Sequence, residues 1–246
     1  GNDFVIIDNR QKITELSKFK IVKICDRNFI GCDQLIIIEN DNATDARLKF
    51  FNSDGGESGA CGNGTRCVAD LISKKKNNKI VILNTLSGNL KSHILGKNLV
   101  TTEIGNAKIK WNEIPLSREL NTKNLGIKIN DLNNKEYFGG IAINVGNPHV
   151  IFFVNNIENF DITKIGPQLE NSDMFPEKCN VTIAKIINKN LIKIKVWERG
   201  AGLTKACGTA ACATAFAGKL NNLTDSNTDI EFETGKLSIF IDEKNS

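Results

Sequence analysis

Histidine is nearly missing from this chain, which holds two in 246 residues. Concentrated charge, long apolar runs and paired cysteines are missing too. Two histidines leave little with which to build a zinc centre. The intervals Cys61 to Cys67 and Cys207 to Cys212 graze zinc-like spacing, but such pairs on a helix do not converge on one ion, so no metal is expected. Lys74-Lys75-Lys76 is the only basic run in a chain of net charge +4, which argues against nucleic acid as a partner. No apolar stretch approaches the roughly 20 residues that span a bilayer, so no membrane is expected. The cysteines number seven and lack the regular pairing of a secreted disulfide framework. A reducing, cytoplasmic setting follows as the expectation. Gly-rich stretches occur, but none ends in Gly-Lys-Ser/Thr and no lysine motif for pyridoxal phosphate is seen. Neither a nucleotide nor any other cofactor is implied.

What the chain does have is one short stretch written twice. Ala60-Cys61-Gly62 and Ala206-Cys207-Gly208 each end a Gly-rich run and open a segment of helical character. The two cysteines stand 146 positions apart, and the match extends upstream at that offset. Phe51-Asn52-Ser53-Asp54-Gly55-Gly56 lies over Trp197-Glu198-Arg199-Gly200-Ala201-Gly202, and Gln34 lies over Asn180. Further back, Gly1-Asn2-Asp3-Phe4-Val5-Ile6-Ile7 resembles Gly146-Asn147-Pro148-His149-Val150-Ile151-Phe152, with the offset slipping by one. Polar residues recurring at fixed distances before a recurring cysteine indicate a duplicated half-domain with a thiol in each copy.

A residue entering a helix sits beside unpaired backbone N–H groups and the positive end of the helix dipole. Those groups favour an anion, whether a thiolate or a bound carboxylate. A glycine directly after the cysteine has no Cβ to keep a ligand off the backbone. Two such helix starts, one from each copy, could face one another across a cleft and hold a small carboxylate with a thiol on each side of its α-carbon. One sulfur, as thiolate, would remove the α-proton while the other, as thiol, returns a proton to the opposite face. The bland alternative, that both cysteines are merely buried helix-start residues, is weakened by the duplicated setting.

At 40% hydrophobic and 24% charged residues, the composition is ordinary for a soluble globular protein. A strand is expected at Phe4–Asp8, then a helix from Thr14, as N-cap, to Asp26, then strands at Gln34–Glu39 and Arg47–Phe51. A Gly-rich loop leads to the first Cys-bearing helix, Asn63–Lys75, and strands follow at Ile80–Thr85, Asn89–Leu95 and Leu99–Glu103. Trp111 and Pro115 interrupt the strand pattern between Gly105 and Leu116, which places a boundary between half-domains 1–110 and 111–246. In the second half, strands are expected at Gly139–Asn144, Val150–Val154, Val181–Ile187, Leu191–Trp197, Ile230–Glu233 and Leu237–Ile241. A helix at Asp161–Asn171 should be kinked or broken by Pro167. The second Cys-bearing helix, Thr209–Lys219, is so rich in alanine that sheet should enclose it on all sides. The fold class is α+β: two pseudo-symmetric halves, each a mostly antiparallel β-sheet or barrel wrapped around a central helix.

These motifs together resemble the diaminopimelate epimerase family, over nearly the whole chain. The resemblance rests on Gly1-Asn2-Asp3-Phe4, Asp33-Gln34-Leu35, Asn52-Ser53-Asp54-Gly55 with Cys61-Gly62-Asn63-Gly64-Thr65-Arg66-Cys67, Gly146-Asn147-Pro148-His149, and Glu198-Arg199-Gly200-Ala201-Gly202 through Ala206-Cys207-Gly208-Thr209. It implies the fold of that family and a cofactor-independent interconversion of LL- and meso-2,6-diaminopimelate, in lysine and peptidoglycan precursor biosynthesis. By the same resemblance Cys61 and Cys207 are the acid/base thiols, with His149 and Glu198 helping them exchange protons. Gly62, Asn63, Gly208 and Thr209 would hold the reacting α-carboxylate. Asn2, Gln34, Asn52, Asn147, Asn180, Glu198 and Arg199 would line the rest of the pocket, Glu198 suiting an ammonium and Arg199 the distal carboxylate. The only implied partner is the small-molecule substrate, diaminopimelate; the oligomeric state stays open, a homodimer among the options. The family usually begins several residues before Gly1 and carries a further strand after Ser246. Ala210 stands where it commonly has Gly, and Cys32 where a non-Cys residue is usual. Proline racemases have Gly-His-Gly where this chain has Gly62-Asn63-Gly64. A related proline- or hydroxyproline-type racemase is the nearest alternative, and a thiol redox or metal-binding module is the alternative of another class.

Overall fold

The computed structural model describes residues 2–12, 15–59 and 61–242. Two compact units divide the chain, Asn2–Gly105 and Asn106–Ser246. The first contains strands β1 (Phe4–Asp8), β2 (Gln34–Glu39), β3 (Ala46–Asn52), β4 (Glu57–Ser58), β5 (Ile80–Thr85), β6 (Gly88–Gly96) and β7 (Leu99–Thr102), with helices α1 (Lys18–Cys25) and α2 (Gly62–Lys76). The second contains β8 (Ile127–Asn130), β9 (Glu136–Gly139), β10 (Ile141–Asn144), β11 (Pro148–Phe153), β12 (Asn180–Asn188), β13 (Leu191–Glu198), β14 (Gly202–Thr204), β15 (Asn227–Phe232) and β16 (Gly235–Phe240), with helices α3 (Ile162–Glu170) and α4 (Gly208–Leu220).

The duplication read from the sequence is a duplication of topology. One sheet runs β1-β2-β3-β5-β6-β7 with β4 attached to β3; the other runs β10-β11-β12-β13-β15-β16 with β14 attached to β13. In each, two pairings are parallel, β1 with β2 and β3 with β5 in the first copy, β11 with β12 and β13 with β15 in the second. The remaining neighbours are antiparallel. Register repeats as well: Phe50 opposes Ser58 in the first copy as Val196 opposes Thr204 in the second. The fold is α+β, mostly antiparallel, as expected.

Both faces are covered at β2, β11 and β12, whose residues are buried in continuous runs, whereas β3 and β13 alternate buried with more exposed residues. In the first unit Ile36, Ile38, Leu48 and Phe50 pack with Val68, Ala69 and Ile72 of α2. Leu35 and Ile37, alternating with them on β2, pack with Ile21 and Cys25 of α1. The second unit follows the same rule. Ile151, Ile192, Ile194 and Val196 cover α4, while Val150, Phe152, Val181 and Ile183 face Ile162, Ile165 and Phe175. Ala210, Ala211, Ala213, Ala215 and Ala217 are all fully buried, so α4 is enclosed as its alanines imply.

Three local expectations are corrected. Helix α1 starts at Lys18, not near residue 14, because the Ser17 hydroxyl accepts from the Lys20 N–H and caps it there; Thr14 lies outside the described residues. The expected strand Gly139–Asn144 is two strands, parted at Gly140, whose φ of +94° no extended residue adopts. Helix α3 runs through Pro167 without a break. The residue before proline is normally driven off helical geometry by its Cβ, and here that residue is Gly166. Trp197 occupies the space, since a Cβ on Gly166 would come within 2.3 Å of its ring.

Candidate active site

In the first unit the site residues named from the sequence fall at strand ends, at the start of α2 or, for Asn2, two residues before β1. Cys61 is the N-cap of α2, with φ −139° and ψ 109°. Its Sγ accepts from the Gly64 N–H at 3.5 Å and its carbonyl accepts from the Thr65 N–H at 2.8 Å. Geometry leaves the N–H groups of a helix's first turn without intrahelical acceptors, and Gly62 and Asn63 stand there, ahead of the two donors that Cys61 engages. A Cβ on Gly62 would meet Ile104 and Arg66 only at 3.7 and 3.9 Å, ordinary contact distances. The fold itself therefore does not require glycine at 62. An anion approaching the backbone would.

Around this helix start the amides are tied to one another. Asn63 donates to Asn2 at 2.6 Å, and Arg66 donates to the Asn63 oxygen at 2.6 Å. Asn2 donates on to Asp33 at 3.3 Å, and Arg27 bridges Asp33 and Asp3. Gln34 opens β2 opposite Asn52 at the end of β3, and its amide donates to the Asn52 oxygen at 2.9 Å. Arg66 and Asp33 were not singled out from the sequence as site residues. Arg66 sits in the quoted motif one turn from Asn63, and that helical spacing was the signal.

The second unit repeats the helix start almost angle for angle. Cys207 is the N-cap of α4, with φ −141° and ψ 114°, and its Sγ accepts from the Ala210 N–H at 3.4 Å. Its carbonyl accepts from Ala211 at 3.0 Å, and the Thr209 hydroxyl lies 3.4 Å from the sulfur. The surroundings differ from those of Cys61, which is half-buried. Cys207 is 5% exposed. Burial raises its thiol well above the usual range, and the neighbouring Glu198 carboxyl raises it further. Glu198, the last residue of β13, is itself raised by burial, opposed by hydrogen bonds from Thr204 and Cys207. The Thr204 hydroxyl donates to Glu198 Oε1.

His149 stands second on β11, opposite Asn180 on β12, and is wholly buried. Its Nε2 lies 2.9 Å from the Asn147 side-chain oxygen and 3.5 Å from the Asn180 side-chain nitrogen; the shorter contact, to an oxygen that can only accept, favours the proton on Nε2 and leaves Nδ1 bare. Among the described residues no partner meets Nδ1. Burial, helped by the Arg199 charge, pulls this histidine down to about 3, so it is neutral at physiological pH. Asn180 donates to the Pro148 carbonyl at 3.0 Å and accepts from the Arg199 N–H at 2.9 Å. The Arg199 guanidinium is exposed and donates to the Glu177 carbonyl at 2.7 Å. The loop that carries it is held by Glu170, whose carboxylate accepts from Trp197 at 2.7 Å and from the Gly200 N–H at 3.0 Å. Thr204 and Glu170 were also missed in the sequence. For Thr204 a signal existed, since the 146-residue offset lays it over Ser58.

Among the described residues no three His, Cys, Asp or Glu side chains group as metal ligands. Nor is any helix among them long and apolar enough to cross a membrane. Each half-site offers a thiol, helix-start N–H groups and a fringe of amides, and the second places a carboxyl, Glu198, beside its thiol.

The chain is similar to known proteins. The family profile described as diaminopimelate epimerase matches residues 1–110 and 141–246. The diaminopimelate epimerase of Pelagibacter ubique is 65% identical over all 246 residues, which span 90% of its length. That of Acidiphilium cryptum is 39% identical over 97% of this chain and 85% of its own. Among solved structures, a Pseudomonas aeruginosa protein described as a predicted epimerase superposes with a TM-score of 0.64, covering all of this chain and 88% of its own. At 13% identity that likeness speaks for the fold alone. The profile match and the near full-length identity settle the family: this chain belongs to the diaminopimelate epimerases.

Proposed function

We propose that the chain interconverts LL- and meso-2,6-diaminopimelate without a cofactor, with Cys61 and Cys207 as its two bases, supplying lysine and peptidoglycan precursors. The observation that carries the reading is the pair of matched helix starts. At residues 61 and 207 a cysteine caps a helix with the same backbone angles and the same sulfur-to-backbone bond. Gly62 with Asn63 and Gly208 with Thr209 bind the reacting α-carboxylate through backbone N–H groups and the positive helix ends. Charge that builds on that carboxylate as the α-proton leaves is stabilised by the same groups. One thiolate takes the α-proton and becomes a thiol; the other thiol returns its proton to the opposite face and becomes a thiolate. The two sulfurs exchange protonation states at each turnover, so neither can serve alone.

The unequal surroundings give the second copy its distinct tasks. Of the two roles the resemblance allows Glu198, its place beside Cys207 favours proton exchange with that thiol over binding an ammonium. Arg199 takes the distal carboxylate as a planar donor pair. His149, a weak base kept neutral, holds Asn147 toward the substrate and offers its bare Nδ1 as an acceptor. Asn2, Gln34, Asn52 and Asn180 complete the lining.

The test is incubation of LL-diaminopimelate in D₂O with no metal or pyridoxal phosphate added, followed by proton NMR. The meso isomer should accumulate with deuterium at the inverted α-carbon, because the returning thiol exchanges with solvent. Turnover that required an added cofactor, or that favoured proline, would overturn the reading.

A further inference from the structure

Position 198 differs between the two copies in a way that calls for a second group. At the matching place in the first copy stands Asn52, a neutral amide tied to Gln34. In the second copy it is a half-buried carboxyl beside a buried thiol, and a donor on one of its oxygens is what holds it in one orientation. The hydroxyl of Thr204 is that donor. Strand β14 is three residues long and its last residue aims a donor at Oε1 of Glu198. Register delivers that donor: β14 pairs antiparallel with β13, Glu198 opposite Gly202 and Val196 opposite Thr204. Ser58 holds the equivalent place in β4, so both copies present a hydroxyl there, and only the second has an acid for it to hold.

We infer that Thr204 is a positioning residue for the reaction: it anchors one oxygen of Glu198 so that the carboxylate is presented to Cys207. This rests on the two-thiol reading above and on Glu198 as the partner of Cys207. Thr204 touches neither thiol nor substrate in this scheme; it acts through Glu198. Its hydroxyl can donate one proton only, and donating it to Oε1 favours the ionised acid. The anchor therefore has two effects, one on orientation and one on the pH at which Glu198 ionises. The other groups near Glu198 do not substitute for it. Cys207 at the start of α4 is the group being served, and Arg199, next in the chain, sends its guanidinium to the Glu177 carbonyl. Arg199 does make itself felt electrostatically on the buried His149, which stays neutral and adds no titration near neutrality.

The sign follows. Removing a donor from a carboxylate raises its proton affinity, so the acid limb of the pH profile should move upward. We expect Thr204→Val to lower kcat for diaminopimelate epimerisation about tenfold or more and to move the acid limb of kcat/KM to higher pH. KM should hold within about twofold, and Thr204→Ser should restore both the limb and most of the turnover, since it keeps the hydroxyl. Thr204→Ala serves in the same test should the valine variant fail to fold by circular dichroism. In a Glu198→Gln background, loss of the Thr204 hydroxyl should cost no further activity. A Thr204→Val or Thr204→Ala variant with the parent's acid limb, or one whose loss adds in full to that of Glu198→Gln, would overturn the proposal. Glu198→Gln with a parental pH profile would instead strike the underlying reading of Glu198.

Discussion

At the scale of single residues, its surroundings set what each side chain can and cannot do. Cys207 and Cys61 have the same backbone and different environments, so the two thiols are not interchangeable at rest. Cys207 is buried beside the Glu198 acid and rests protonated, while Cys61 is only half-buried. In the proposed scheme Arg199 is the residue that distinguishes a substrate with two carboxylates. Replacing it with lysine keeps the charge and loses the planar fork. A hydrogen bond to a charged group is worth roughly 1.5–3 kcal/mol, about tenfold or more in affinity. Arg199→Lys should therefore raise KM for diaminopimelate by about that factor, with kcat much less affected, in steady-state kinetics. A variant that lost thermal stability while KM stayed put would make Arg199 a loop-holding residue through its Glu177 contact.

At the scale of elements, two glycines two positions apart, Gly62 and Gly64, test what the helix start of α2 is for. A Cβ on Gly64 would come within 2.6 Å of Ile36 and 3.0 Å of Phe50, both fully buried. Overpacking of that kind costs ~1–3 kcal/mol, against a helix-propensity gain of up to ~1 kcal/mol for alanine. Gly64→Ala should lower stability by on the order of 1 kcal/mol in urea unfolding. Gly62→Ala meets no such clash. It should keep the parental midpoint and lose turnover, because its methyl group would stand where the carboxylate approaches. If Gly62→Ala remained fully active, the helix start would not be the carboxylate site. Elements were legible where one local signal sufficed: β1, β2 and β5 lie where apolar runs between turn residues place them. They were not legible where a contact distant in sequence decided the outcome. Gly166 before Pro167 is itself a local cue for an unbroken helix, but why residue 166 must be glycine is not local: a Cβ there would come within 2.3 Å of the Trp197 ring.

At the scale of the whole molecule, duplication is the organising fact, and it was visible in the sequence because polar residues recur at one spacing around a recurring cysteine. The offset that aligns Cys61 with Cys207 also aligns Asn52 with Glu198 and Ser58 with Thr204, and the strand register honours it. The sites of Cys61, Cys207 and the amides were readable that way. The supporting charges were not: Arg27, Asp33 and Glu170 act through contacts made by folding. The central claim is that each copy supplies one indispensable base, and exchanging each cysteine in turn for serine tests it most directly. Serine is a strong N-cap, so both helices should keep their starts and the variants their fold. Epimerisation of LL-diaminopimelate should then fall by roughly 10²–10⁴-fold in Cys61→Ser and equally in Cys207→Ser, since general acid–base groups contribute on that scale. Near-parental turnover by either folded variant would contradict a reaction that needs a thiol on each face.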